Sequence, residues 1–131
     1  MEGLHILAEF GQCAAVEAMA STRALEVLCV SACREAGLTV VGQLFHAFGL
    51  PAAPAGATGA VILAESHLTV HTWPEQGAVT LDLYVCNFSR DNRDAAEMAY
   101  ARLLEAFRPV DVHRRDIWRT YPGLGPHPEK V

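Results

Sequence analysis

From Gly3 to Phe10 the residues alternate, with Leu4, Ile6, Ala8 and Phe10 on one side and His5 and Glu9 on the other, which is the period of a half-buried strand. From Ser21, a suitable N-cap, to Ala36, the apolar positions Leu25, Leu28, Cys29, Ala32 and Ala36 recur at helical spacing, and Gly37 supplies a stop. Thr39 to Phe48 is β-branched and aromatic and predicts a second strand. It runs into Gly49 to Gly56, whose prolines and glycines predict a loop able to line a site. Gly59 to Glu65 and Leu68 to Trp73 predict strands on either side of Ser66-His67, and Pro74-Glu75-Gln76-Gly77 a tight turn. Ala78 to Cys86 alternates cleanly, with Val79, Leu81, Leu83 and Val85 on one face and Thr80, Asp82, Tyr84 and Cys86 on the other. Cys86 is therefore expected to point away from a helix-packed core. Asn92 to Phe107 predicts a second helix with Ala95, Met98, Ala99, Leu103 and Phe107 on its apolar stripe. Val110 to Trp118 predicts a last strand, and the tail from Tyr121, rich in Pro and Gly, is expected to fray.

This order of elements, with hairpin-like joins, predicts an α+β fold, a two-layer α/β sandwich in which two helices cover one side of a mostly antiparallel sheet. The uncovered face carries small and polar residues, so it either stays wet or pairs with a second subunit. The 131 residues contain no linker-like stretch and are expected to form a single domain, 1–131. With 51% hydrophobic and 19% charged residues, the composition excludes global disorder. A formal charge of −5 argues against nucleic-acid and anionic-membrane partners. The dense basic cluster His113-Arg114-Arg115, followed by Asp116, is read as a solvated strand edge. The opening Met1-Glu2-Gly3-Leu4-His5 has no signal-peptide character and no apolar run is long enough to cross a bilayer, so a cytoplasmic location is expected. The four cysteines are accordingly treated as thiols, with Cys29 and Cys33, one helical turn apart, as packing residues.

The reactive residues concentrate in Gly56-Ala57-Thr58-Gly59 and in the run from Ala64 to Glu75. A hydrolase would need Ser66 with His71 and Asp82, yet Ser66 lacks the Gly-x-Ser-x-Gly elbow. A metal site could use His67 and His71 with Glu65 or Glu75, although a His-x-x-x-His pair is a ligand set of helices, not strands. The bland alternative is a set of histidines satisfied by hydrogen bonds at a sheet edge.

The whole string Glu65-Ser66-His67-x-x-x-His71-Thr72-Trp73-Pro74-Glu75 resembles the processing segment of prokaryotic S-adenosylmethionine decarboxylase proenzymes. The resemblance extends to Gly3-x-His5, Pro54-x-Gly56, Cys86 and the overall length. It implies self-cleavage between Glu65 and Ser66 into a β chain, 1–65, and an α chain, 66–131. Ser66 attacks the Glu65 carbonyl, the amide becomes an ester, and elimination leaves a pyruvoyl group at residue 66. No metal or pyridoxal phosphate is implied, because the pyruvoyl carbonyl serves as the electron sink. By resemblance, His71 takes part in processing and Thr58 stands where the family usually has an assisting serine, with a more restricted rotamer and slower processing expected. Cys86 is the proton donor to the substrate carbon, and Leu68, Trp73, Glu75 and Phe48 are the substrate-binding residues. The resemblance also implies a homodimer of cleaved protomers, a four-layer α/β/β/α assembly with active sites at the interface, making the aminopropyl donor for spermidine.

One departure bears on the substrate, since Ala52 stands where the family has an aromatic residue that grips adenine, leaving Phe48 as the nearby ring. Ornithine or arginine is the alternative substrate, with Glu75, Asp82 or Glu9 pairing with its distal cation. A non-catalytic binding relative is the further alternative, opposed by the joint presence of Ser66, His71 and Cys86.

Overall fold

In the computed structural model, residues 2–88 and 90–121 are described. Strands β1 (Glu2–Gly11), β2 (Val40–Leu50), β3 (Ala53–Leu63), β4 (Ser66–Trp73), β5 (Ala78–Cys86) and β6 (Asp111–Thr120) form one sheet in the order β2-β3-β4-β5-β1-β6. All its neighbours are antiparallel. Helices α1 (Val16–Ala20), α2 (Thr22–Glu35) and α3 (Arg93–Phe107) complete the two-layer α+β architecture expected from the sequence.

Alternation along each strand sets the layers. Ile6, Ala8 and Phe10 of β1, Val61 and Leu63 of β3, Leu68 and Val70 of β4 and Val79 to Val85 of β5 turn their apolar side chains into one buried core with the helices. Leu25, Cys29 and Cys33 of α2 and Ala96, Ala99, Leu103 and Phe107 of α3 meet them there. The Ser21 hydroxyl caps α2 by accepting from the Ala24 amide at 3.1 Å. At the other end Gly37, at φ +86°, lets the Leu38 amide return to the Cys33 carbonyl.

The structure departs from the sequence reading in three places. A short extra helix, α1, follows β1; with five residues it is too short to show a period. Most of the stretch 49–56 lies within β2 and β3, with Gly49 paired to Pro54 and Leu50 to Ala53, so the expected site-lining loop shrinks to the turn Pro51-Ala52. A register shift between Ala47 and Gly49, with Gly49 at φ +78°, absorbs the irregularity that the prolines and glycines advertised. Finally, the buried stripe of α3 runs through Ala96, Ala99, Tyr100, Leu103 and Phe107, while Met98 is 55% exposed. Tyr100 turns the helix that way, with its ring against Phe10 and the Arg114 guanidinium 4.5 Å above its face.

The basic cluster lies on β6, an edge strand, where Arg114 bonds Glu97 and Asp116 and Arg115 bonds Glu9. The tail expected to fray lies beyond Tyr121, outside the described residues. Among the described residues no helix is long and apolar enough to cross a membrane.

One buried polar group ties α1 to the sheet. Thr72, fully buried on the core face of β4, donates its hydroxyl to the Met19 carbonyl at 2.8 Å and accepts from the Ala57 amide at 2.9 Å. Thr72→Val keeps the shape and strands both backbone groups, so it is expected to cost about 2 kcal/mol in urea unfolding of a Ser66→Ala background. A loss below about 0.5 kcal/mol would mean that these bonds contribute little net stability.

Candidate active site

The β3–β4 hairpin turns through Ala64 and Glu65, with Leu63 paired to Ser66. Glu65 sits at φ +67°, a left-handed conformation that costs a residue with a Cβ on the order of 1 kcal/mol. The Ser66 hydroxyl, half-buried, donates to the Ala64 carbonyl at 3.4 Å. Glu65 Oε1 is buried with no hydrogen-bond partner. The Glu65–Ser66 peptide therefore lies at a strained turn beside a hydroxyl and an unsatisfied carboxylate oxygen.

Beside this turn, at the end of the uncovered sheet face, lie Cys86 and Tyr84. The β4–β5 register ends with His67 facing Tyr84, which leaves Cys86 two residues further along β5, toward the turn. Gly3 and Arg119 follow Cys86 in the same row, across β1 and β6. Cys86 is 5% exposed yet outside the helix-packed core cluster, as alternation requires. Tyr84 shares its face, and burial, then the neighbouring Cys86, push its phenol up from the ordinary range. The other cysteines are free, buried and on the helix side; burial raises Cys13 and Cys29 and pushes Cys33 up to about 12.

Next to Tyr84, three adjacent strands each bring one side chain to a common point. Asp82 Oδ1 bonds His5 Nε2 and lies 3.3 Å from His67 Nε2. Their donor atoms lie within 4.8 Å of one another, the one such His/Asp group among the described residues able to hold a metal. Of the two imidazoles, His5 is hydrogen-bonded to the carboxylate, while His67 stands near the same oxygen. His67 and His71, by contrast, are four residues apart on one strand, roughly 13 Å, and cannot share an ion. A cavity of about 210 Å³, lined by Glu9, Thr69, His71, Thr80 and Asp82 among others, separates this network from His71.

Thr58 and His71 face each other across β3 and β4, with Thr58 Oγ1 3.0 Å from His71 Nδ1. Trp73 stands beside His71, ring centroids 6.1 Å apart, and His46 and Phe48 share a face of β2, where His46 pairs with Thr58. Ser66 and His71 lie five residues apart on one extended strand, roughly 16 Å. The sequence reading grouped them as one site; within one chain the structure keeps them at opposite ends of β4, Ser66 opposite the core residue Leu63 and His71 on the uncovered face. It also rules out a Ser66–His71–Asp82 triad, since His71 pairs with Thr58 and Asp82 with His5.

Of the remaining expected site residues, Glu75 is exposed in the short 3₁₀ turn Pro74–Gln76 that follows Trp73. Leu68 is 0% exposed and points its side chain into the core, so only its backbone can meet a ligand. The turn residue Ala52 is exposed at the hairpin tip and offers no ring. Tyr84 and Arg119 escaped the sequence reading as site residues. The signal available was alternation, which put Tyr84 on the Cys86 face; nothing in the sequence indicates that β6 would place Arg119 beside it.

Comparison with known proteins adds a consistent set of likenesses. A family profile described as S-adenosylmethionine decarboxylase matches residues 4–120. The chain is 38% identical over 117 residues to an S-adenosylmethionine decarboxylase proenzyme of Thermoplasma acidophilum, covering 89% of this chain and 82% of the relative. It is 36% identical to a proenzyme of the same name from Moorella thermoacetica, covering 89% and 86%. Among solved structures, the adenosylmethionine decarboxylase from Aquifex aeolicus superposes with a TM-score of 0.76 at 30% identity, covering 88% of each chain.

The strain at Glu65 is open to direct measurement. Glu65→Gly in a Ser66→Ala background removes both the left-handed penalty and the unsatisfied carboxylate, and is expected to stabilise the uncleaved chain by about 1 kcal/mol in urea unfolding. A fall in the unfolding midpoint would mean that the Glu65 side chain contributes more than its backbone costs.

Proposed function

We propose, since this chain belongs to the S-adenosylmethionine decarboxylase family, that it cleaves itself between Glu65 and Ser66 and then decarboxylates S-adenosylmethionine. The observation that carries this reading is the left-handed Glu65 at a two-residue turn, with the Ser66 hydroxyl beside it and Cys86 in the adjoining row. In the first step the Ser66 oxygen attacks the Glu65 carbonyl carbon, the C–N bond breaks, and an ester with a free Ser66 amine results. Relief of the turn conformation favours that step. Loss of the Ser66 α-proton then expels Glu65 as the carboxyl end of chain 1–65, and hydrolysis with loss of ammonia leaves a pyruvoyl group on chain 66–131.

When formed, that group supplies the electron sink for loss of carbon dioxide. The chain's own residues do the rest. Cys86 returns a proton to the substrate carbon. Trp73, Glu75 and Phe48 bind the substrate around the Thr58–His71 pair, and the product is the aminopropyl donor for spermidine. A cytoplasmic setting suits four cysteines that are all free.

The roughly 16 Å between Ser66 and His71 supports a two-chain site. Stacking the uncovered faces of two copies about a two-fold axis would bring the Ser66–Cys86 end of one against the Thr58–His71 end of the other, twice over. A four-layer α/β/β/α homodimer follows, with each cleavage served by its partner's histidine.

Release of labelled carbon dioxide from carboxyl-labelled S-adenosylmethionine, with ornithine and arginine assayed in parallel, tests the activity. Release from either amino acid alone would contradict the proposed substrate. The shared site is tested by co-expressing Ser66→Ala with His71→Ala chains. Neither is expected to cleave by itself, while in mixed dimers the His71→Ala chain regains cleavage; no cleavage in the mixture would place both groups' action within one chain. Thr58→Ser keeps the hydroxyl and frees its rotamer, so cleavage is expected to speed up; a slower rate would show that the threonine methyl contributes.

A further inference from the structure

Tyr84 is held from several sides beside the proposed proton donor. Two residues before Cys86 on β5, it projects from the same face of the strand. Its ring lies across Gly3, the residue paired with Cys86, so closely that a Cβ there would fall 2.6 Å from Cε1 and 2.9 Å from the hydroxyl oxygen. The Arg119 guanidinium covers the ring at 4.6 Å, and the His5 and His67 rings stand 5.6 and 5.8 Å from it. A side chain at residue 3 would meet both this ring and, at 2.6 Å, the Val85 backbone carbonyl, which gives the glycine of Gly3-x-His5 a physical reason. The hydroxyl thus lies over the residue paired with Cys86, within reach of the thiol, and burial, then the neighbouring Cys86, raise the phenol, which stays protonated and hence a donor.

We infer that Tyr84 is a positioning residue for Cys86: its O–H aims the thiol at the substrate carbon and receives the charge the sulfur acquires there. This role rests on the decarboxylase reading above. When the substrate carbon that has lost carbon dioxide takes its proton, the S–H bond breaks, a C–H bond forms with the electron pair left on carbon, and the sulfur keeps the S–H pair as a thiolate. The Tyr84 O–H donates to that thiolate, a charge-assisted bond stronger than the one to the neutral thiol. Without it the proton is delivered less selectively. Protonation instead on the carbon derived from residue 66, followed by hydrolysis, leaves the substrate nitrogen on the chain as an alanyl end and releases the substrate carbon as an aldehyde.

Tyr84→Phe keeps the ring over Gly3 and removes only the hydroxyl. The 66–131 fragment, weighed under denaturing conditions after known turnover, is expected to carry about tenfold more alanyl end per carbon dioxide released than the wild type. A second readout needs no cofactor: in the Ser66→Ala precursor, Tyr84→Phe is expected to slow modification of Cys86 by a small thiol reagent several-fold, the thiolate having lost its donor. The other thiols, raised by burial, stay silent. Tyr84→Leu, which removes the hydroxyl together with the ring, is expected to reproduce both effects and stands in if Tyr84→Phe fails to fold. An unchanged alanyl fraction, or an unchanged rate of Cys86 modification, overturns the inference. A wild type that never cleaves would sink the functional reading instead, while the precursor measurement still decides the Tyr84–Cys86 contact.

Discussion

An extended strand cannot bring its own residues together, and that constraint on β4 governs the site. Strand β4 runs unbroken from Ser66 to Trp73, with β3 on one side and β5 on the other. Its rise of about 3.3 Å per residue holds the nucleophile and His71 apart whatever their side chains do. The chemistry must then be assembled across strands. At one end the β4–β5 and β1–β5 registers gather His67, Tyr84, Gly3 and Cys86 beside the Glu65 turn; at the other the β3–β4 register gathers Thr58 and His71. The distance between these two half-sites is what makes a second copy of the chain a functional requirement of the proposal, not an accessory to it.

The same alternation that builds the core determines what the uncovered face can carry. Val79 to Val85 fill the core side of β5, which leaves Asp82, Tyr84 and Cys86 together on the other. Asp82 hydrogen-bonds His5 and lies 3.3 Å from His67, which makes a polar cluster of three neighbouring strands beside Tyr84. Gln12 and Arg108 also take a left-handed backbone, outside the strands, but among the described residues Glu65 alone combines it with a buried, unpaired carboxylate oxygen. A stable sheet thus holds one locally unfavourable peptide, and that peptide is the one proposed to break.

Much of this was legible in the sequence because period-two alternation is a strong local signal. It gave the faces of β1 and β5, including the side on which Cys86 lies, and the cap and stop of α2 at Ser21 and Gly37. The errors share a cause, which is that tertiary contacts overrode local pattern. The prolines and glycines of residues 49–56 announced a loop, but a register shift let β2 and β3 pair across them. The stripe of α3 turned because Tyr100 found Phe10 and Arg114, both distant in sequence. A motif likewise shows neighbours along the chain and hides distance: Ser66 and His71, close in sequence, are far apart in the fold, while Tyr84 and Gly3, far apart in sequence, touch.

The central claim is that this strained turn breaks itself, and the denatured intact mass of the purified wild-type chain beside Ser66→Ala tests it most directly. The expected result is two fragments meeting between Glu65 and Ser66, the second with a pyruvoyl-blocked end, and an intact Ser66→Ala chain. A single wild-type chain of 14.2 kDa, unchanged after long incubation, would contradict it.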